Sequence, residues 1–126
     1  MNLLHALESF CYKPQRLPKG TVFLNEGDCP CPTYVLINGA VKVTAGGVEI
    51  GVFSKSGDTF GEMAAIMKKP VSATVETAED SNFYVVENFE EFLTKNPAHC
   101  LDLLKNSYDR LSQMNKGVNL MLKMIK

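Results

Sequence analysis

The sequence predicts an α+β fold, in which short antiparallel strands build a barrel or sandwich with one short helix inserted among them and helices at both ends. Three observations predict it. Between Thr21 and Val86, β-branched and apolar residues come in short runs separated by Gly-containing turns, the signature of an antiparallel all-strand core. Inside that region, Glu62 to about Met67 has helix-forming composition and is stopped by Pro70. Outside it, apolar residues recur at helical spacing near the N-terminus and again after Pro97.

Taken in order, Asn2 is placed to cap a short helix whose apolar face is Leu3, Leu4, Leu7 and Phe10 or Cys11, and Pro14 and Pro18 end it. Strands are expected from Thr21 to Asn25, from Tyr34 to Ile37, from Ala40 to Thr44 and from Val48 to Phe53. A Glu26-Gly27-Asp28 turn follows the first, Asn38-Gly39 reads as a two-residue hairpin turn, and Gly46-Gly47 turns the chain again. Ser72–Thr77 and Asn82–Val86 read as two more strands, joined by the acidic turn Ala78-Glu79-Asp80. Asn88 with Glu91 three residues on resembles a capping box for a helix to about Lys95. Asn96-Pro97 reads as an N-cap followed by Pro in the first helical position.

Composition excludes several classes. The 126 residues suffice for one domain, 45% are hydrophobic, and mean hydropathy is close to zero. No apolar run approaches membrane-spanning length and no signal-peptide pattern opens the chain, so a cytoplasmic protein without membrane partners is expected. A net charge of −1 argues against a nucleic-acid surface. Cys29 and Cys31 form a C-x-C pair in a loop, but no second close pair or neighbouring His completes a zinc spacing, and Cys11 and Cys100 fall on helical stretches. The reading is reduced thiols and no metal. Two His residues in separate helices cannot assemble a nucleophile–base pair, and Glu62 has no acid–base partner in sequence, so no catalytic residue is assigned.

The informative stretch is Gly57–Val75, GDTFGEMAAIMKKPVSATV. A glycine directly before a helix start lets backbone N–H groups come close to a ligand, and the open amides of a first helical turn favour an anion. Glu62 stands there as an acceptor suited to a sugar hydroxyl. An anion cradle beside a hydroxyl acceptor describes a pocket for a sugar phosphate.

Gly57-Asp58-x-Phe60-Gly61-Glu62, then apolar residues, Pro70, one variable position and Ala73-Thr74-Val75, resembles the phosphate-binding cassette of cyclic nucleotide-binding domains. The resemblance runs from about Arg16 to Pro97, with Gly27-Asp28 similar to an earlier turn and Tyr34–Val43 to the family's first hairpin. It implies an antiparallel double-stranded β-roll, jelly-roll-like, over about 16–87, with C-terminal helices over about 88–126 in one domain. It also implies a site made by Phe60, Gly61, Glu62, Met63, Ala64, Val71, Ser72 and Ala73, with cAMP or cGMP as ligand and no cofactor. In the family, the Glu takes the ribose 2′-hydroxyl and an Arg just after the Pro pairs with the phosphate. Here that position is Val71. A bidentate Arg–phosphate pair contributes about 1.5–3 kcal/mol, so its loss alone could move a micromolar site towards millimolar.

From Pro97 to Lys126 only Gly117 interrupts a helix that would span roughly 45 Å. Leu101, Leu104, Tyr108, Leu111, Asn115, Val118, Leu122 and Ile125 alternate spacings of three and four, an a/d seam with Asn115 at an a position. The seam points to a homodimer helix using Leu104, Tyr108, Leu111, Asn115, Val118 and Leu122; the alternative is a stripe packed on the chain's own roll. Nothing resembling a DNA-reading motif follows it. Two functions are therefore expected: a regulatory module that binds a cyclic nucleotide weakly or through a substituted cation, or a degenerate module of the same fold that binds no cyclic nucleotide, or another small anion, and acts by dimerising or docking.

Overall fold

The computed structural model describes residues 3–10, 12–29, 32–98 and 105. The elements run α1 (Leu3–Ser9), β1 (Gln15–Leu17), β2 (Val22–Leu24), β3 (Thr33–Asn38), β4 (Val41–Ala45), β5 (Val48–Phe53), β6 (Thr59–Phe60), α2 (Glu62–Met67), β7 (Thr74–Thr77), β8 (Ser81–Val86) and α3 (Phe89–Lys95). The expectations for Asn2, Cys11, Cys31, Cys100 and the seam from Leu101 to Ile125 lie outside the described residues.

The strands form two antiparallel four-stranded sheets, ordered β1-β8-β3-β6 and β2-β7-β4-β5. This is the expected roll, in which each sheet covers one face of the other. Period-two alternation distributes β3 and β8 between two cores. Leu36 and Phe83 face the inter-sheet core with Leu24, Val41, Phe53, Phe60, Val71 and Val75. Val35, Tyr84 and Val86 face outward into a second core with Leu3, Ala6 and Leu7 of α1 and Phe89, Phe92 and Leu93 of α3. α2 joins the two: Ala64 packs on the inter-sheet core, whereas Ala65 and Ile66 pack on the helical layer.

Asn38-Gly39 is not a hairpin. β3 and β4 belong to different sheets, so these residues carry the chain from one to the other. Gly39 has φ 112°, and a Cβ there would collide with the side chain and Cα of Ser81. The Ser81 hydroxyl is shared with the Ala40 N–H at 3.2 Å and the Ala40 carbonyl at 3.3 Å. An Asn-Gly pair supplies the positive φ that both a tight hairpin and a sheet crossing use, and sequence does not distinguish them. The hairpin is the other glycine turn. β4 and β5 pair through Ala45↔Val48, with Gly46 and Gly47 at φ 56° and 79°, as a type I′ turn requires.

Two short strands were not legible. β1, between Pro14 and Pro18, pairs with β8, and β6 pairs with β3 through Tyr34↔Phe60 and Val35↔Thr59. Both are short and take their strand conformation from their partners rather than from a pattern of their own. Conversely, Ser72 and Ala73 lie before β7, which starts at Thr74. The β1–β2 loop is tied down by Thr77, whose buried hydroxyl accepts from the Thr21 N–H at 2.9 Å and donates to the Pro18 carbonyl at 2.6 Å. Asp80 accepts from the Lys19 N–H at 2.8 Å and pairs with Arg16 at 2.9 Å, and its pKa is held below the ordinary value mainly by that backbone bond and then by Arg16.

At α3, the Asn88 side chain accepts from the Glu91 N–H at 3.0 Å, the expected cap. The Glu91 carboxylate turns forward to Lys95 at 2.8 Å. Asn96 closes α3: its N–H donates to the Leu93 carbonyl and its side-chain amide to the Phe92 carbonyl.

Candidate functional site

The chain enters the site through β6, which sets Phe60 2% exposed in the inter-sheet core. Gly61 follows at φ 85°, ψ 1°, the left-handed conformation, and turns the chain directly into α2 without a side-chain cap. Glycine adopts that conformation without strain, which explains the residue type at this corner. Glu62 is the first helical residue and is only 6% exposed. α2 ends after a turn and a half at Lys68, itself left-handed at φ 56°. The N–H groups of Lys68 and Lys69 both reach the Ala64 carbonyl, and Pro70 prevents any continuation.

Val71 then runs against the β2–β3 loop. Its carbonyl accepts from the Gly27 N–H at 2.7 Å. The turn at Gly27-Asp28 and the segment after Pro70, distant in sequence, are thus one backbone-bonded unit.

Around this unit lies a cavity of about 540 Å³, bounded by the inner face of β4 and β5, by α2 and by residues 69–73. Phe60, Gly61, Glu62, Met63, Ala64, Val71, Ser72 and Ala73 all line it. The eight residues expected to form the site therefore surround one space. Leu24, Val43, Ile50, Phe53, Met67, Lys69, Pro70 and Val75 complete the lining. Sequence reading missed Val43, Ile50 and Phe53, because they reach the cavity through the β4–β5 pairing, which no local motif announces. The volume falls in the range of small-molecule pockets, roughly 300–1,000 Å³.

The lining is mainly apolar, and its charged members are Glu62 and Lys69. Met63 and Met67, one turn apart on α2, are 60% and 49% exposed at its edge, with Ile50 facing them from β5. Val71, 6% exposed, belongs to the inter-sheet core. Lys68 turns away: its ammonium lies 2.7 Å from the Glu90 carboxylate on α3.

A profile of the cyclic nucleotide-binding domain matches residues 14–96, well over half of the chain. The chain belongs to the cyclic nucleotide-binding domain family. Domains of this family are regulatory rather than catalytic. Among curated proteins, the domain is 30% identical over 86 residues to Rap guanine nucleotide exchange factor 1 of Caenorhabditis elegans, covering 68% of this chain and 8% of that protein. It is 46% identical over 61 residues to a cGMP-dependent protein kinase of Toxoplasma gondii, covering 48% of this chain and 6% of that one. The chain therefore spans less than a tenth of the length of these relatives.

Solved structures share the fold. A CooA variant from Carboxydothermus hydrogenoformans superposes with a TM-score of 0.75 at 19% identity, covering 96% of this domain and 85% of that chain. The catabolite activator protein of Thermus thermophilus gives 0.69 at 20% identity, over 94% and 58%. A PKAR CBD2 domain bound to Sp-2Cl-cAMPS gives 0.67 at 21%, over 91% and 80%. Among the described residues, no helix is long and apolar enough to cross a membrane.

Proposed function

We propose that this domain is a non-catalytic, cytoplasmic sensor of a cyclic purine nucleotide, cAMP or cGMP, which binds it weakly in the α2 cavity and passes the bound state on through its C-terminal helix. The observation that carries the proposal is the convergence of all eight expected ligand residues on one cavity in a member of this family. Glu62 is the acceptor for the ribose 2′-hydroxyl, and the α2 amides face the phosphate. The relative named as cGMP-dependent, 46% identical over the stretch it shares, makes cGMP a ligand to titrate beside cAMP.

The output follows from the position of α2. The same short helix lines the cavity and packs on the α1/α3 layer, and Lys68–Glu90 ties its end to α3. A ligand that moves α2 therefore moves the helical layer. The seam read in the sequence from Leu104 to Leu122 then serves as a homodimer interface.

One observation favours the second reading, a docking module without cyclic nucleotide. Val71 sits in the apolar core and puts no positive charge into the cavity. Thermal unfolding separates the two. A ligand at about ten times its Kd stabilises the folded state by roughly 1.4 kcal/mol, so cAMP or cGMP at several millimolar is expected to raise Tm by a few degrees while 5′-AMP raises it less. No shift with either cyclic nucleotide favours the docking module.

A further inference from the structure

We infer that Lys69 supplies the positive charge that holds the ligand's phosphate, in place of a side chain at position 71. The inference rests on the cyclic-nucleotide reading of the cavity. Position 71 supplies no charge, because it is a valine packed in the inter-sheet core, with its backbone bonded to Gly27 and Asp28. Lys68 is engaged with Glu90 at 2.7 Å on the opposite side of α2. Lys69 lines the cavity and has no acidic partner among the described residues.

The separation of the two lysines has a backbone cause. Lys68 is the one non-glycine residue with positive φ among the described residues. That left-handed step reverses the chain at the end of α2, so consecutive side chains leave in different directions. Pro70 restricts Lys69 to extended conformations, and the Lys69 N–H is anchored on the Ala64 carbonyl at 3.3 Å. Lys69 is therefore anchored by its backbone beside the cavity it lines, with its side chain exposed.

With Glu62 as the other charged lining residue, the cavity presents one buried acceptor and one cation at its edge. A ligand with a hydroxyl and a single anionic group separated by a sugar satisfies both. The exposed ammonium acts as a point charge without the fork of a guanidinium, so affinity should be modest and sensitive to salt.

The test is equilibrium binding of cAMP and of cGMP to the full chain at about 50 mM and about 500 mM salt, the range over which screening shortens from beyond 10 Å to a few ångströms. Lys69→Gln is expected to weaken binding roughly tenfold at low salt and to lose most of the salt dependence. Lys69→Glu should weaken it further, and Lys69→Arg should keep it. Lys68→Gln should bind like the unaltered chain. Unaltered affinity and salt slope in Lys69→Gln, with the parent chain binding normally, would overturn the inference and leave the cyclic-nucleotide reading standing. A parent chain that binds neither nucleotide overturns both. Matching melting curves for parent and Lys69→Gln show that the fold is not what changed.

Discussion

Val71 donates its backbone N–H to the Asp28 carbonyl at 2.8 Å, which locks the segment after Pro70 onto the β2–β3 loop and fixes which side chains face the cavity. The side chain at 71 is therefore both a cavity wall and a member of the inter-sheet core. Val71→Arg is expected to tighten cyclic-nucleotide binding at least tenfold, because a guanidinium entering the cavity meets the phosphate with two bonds. It should also cost about 1–3 kcal/mol of stability through overpacking and desolvation. Paired binding and urea-unfolding measurements check both. Lost stability without gained affinity would mean that the cavity does not receive a phosphate there.

Glu62, buried at the first turn of α2, is expected to bind the ribose 2′-hydroxyl. Glu62→Gln should weaken cAMP roughly tenfold or more, in line with a hydrogen bond to a charged group of about 1.5–3 kcal/mol. The same substitution should barely affect 2′-deoxy-cAMP, since the partner hydroxyl is already missing. Equal losses for the two ligands would assign Glu62 a structural role instead.

Gly39→Ala tests the sheet crossing. It combines φ 112° with a collision against Ser81, and should destabilise the domain by at least about 2 kcal/mol in urea unfolding. Gly47→Ala, where a Cβ meets nothing within 4 Å, carries only the strain of positive φ and should cost less.

Asp80 gives a pH dependence. Its folded pKa is lowered, first by the Lys19 N–H and then by Arg16, so its contribution is present above the unfolded value and is lost as pH falls through the folded one. Melting of the parent chain and Asp80→Asn should differ at neutral pH and converge as pH drops below the ordinary aspartate value of about 3.9. A gap unchanged down to pH about 2 would contradict this.

The fold was legible where one residue type can serve only one purpose. Gly61 followed by Glu62 predicts the helix start, Pro70 predicts the stop, and Asn88 predicts the α3 cap. Legibility failed where the decision is tertiary. Asn38-Gly39 has the turn chemistry of a hairpin, yet Ser81 and the sheet crossing decide its use. β1 and β6 exist because β8 and β3 offer them hydrogen bonds. The cassette half of the site was readable as one continuous motif. The wall made by Val43, Ile50 and Phe53 was not, because it depends on register, and the opposite fates of Lys68 and Lys69 depend on one φ angle.

The α2 cavity is expected to bind a cyclic nucleotide although position 71 carries no arginine. Isothermal titration calorimetry of the parent chain and Val71→Arg with cAMP and cGMP tests it most directly. The expected result is saturable binding of at least one nucleotide, with Kd roughly between micromolar and millimolar for the parent chain and at least tenfold tighter for Val71→Arg. No binding of either nucleotide by the folded parent chain, whatever Val71→Arg does, would contradict it.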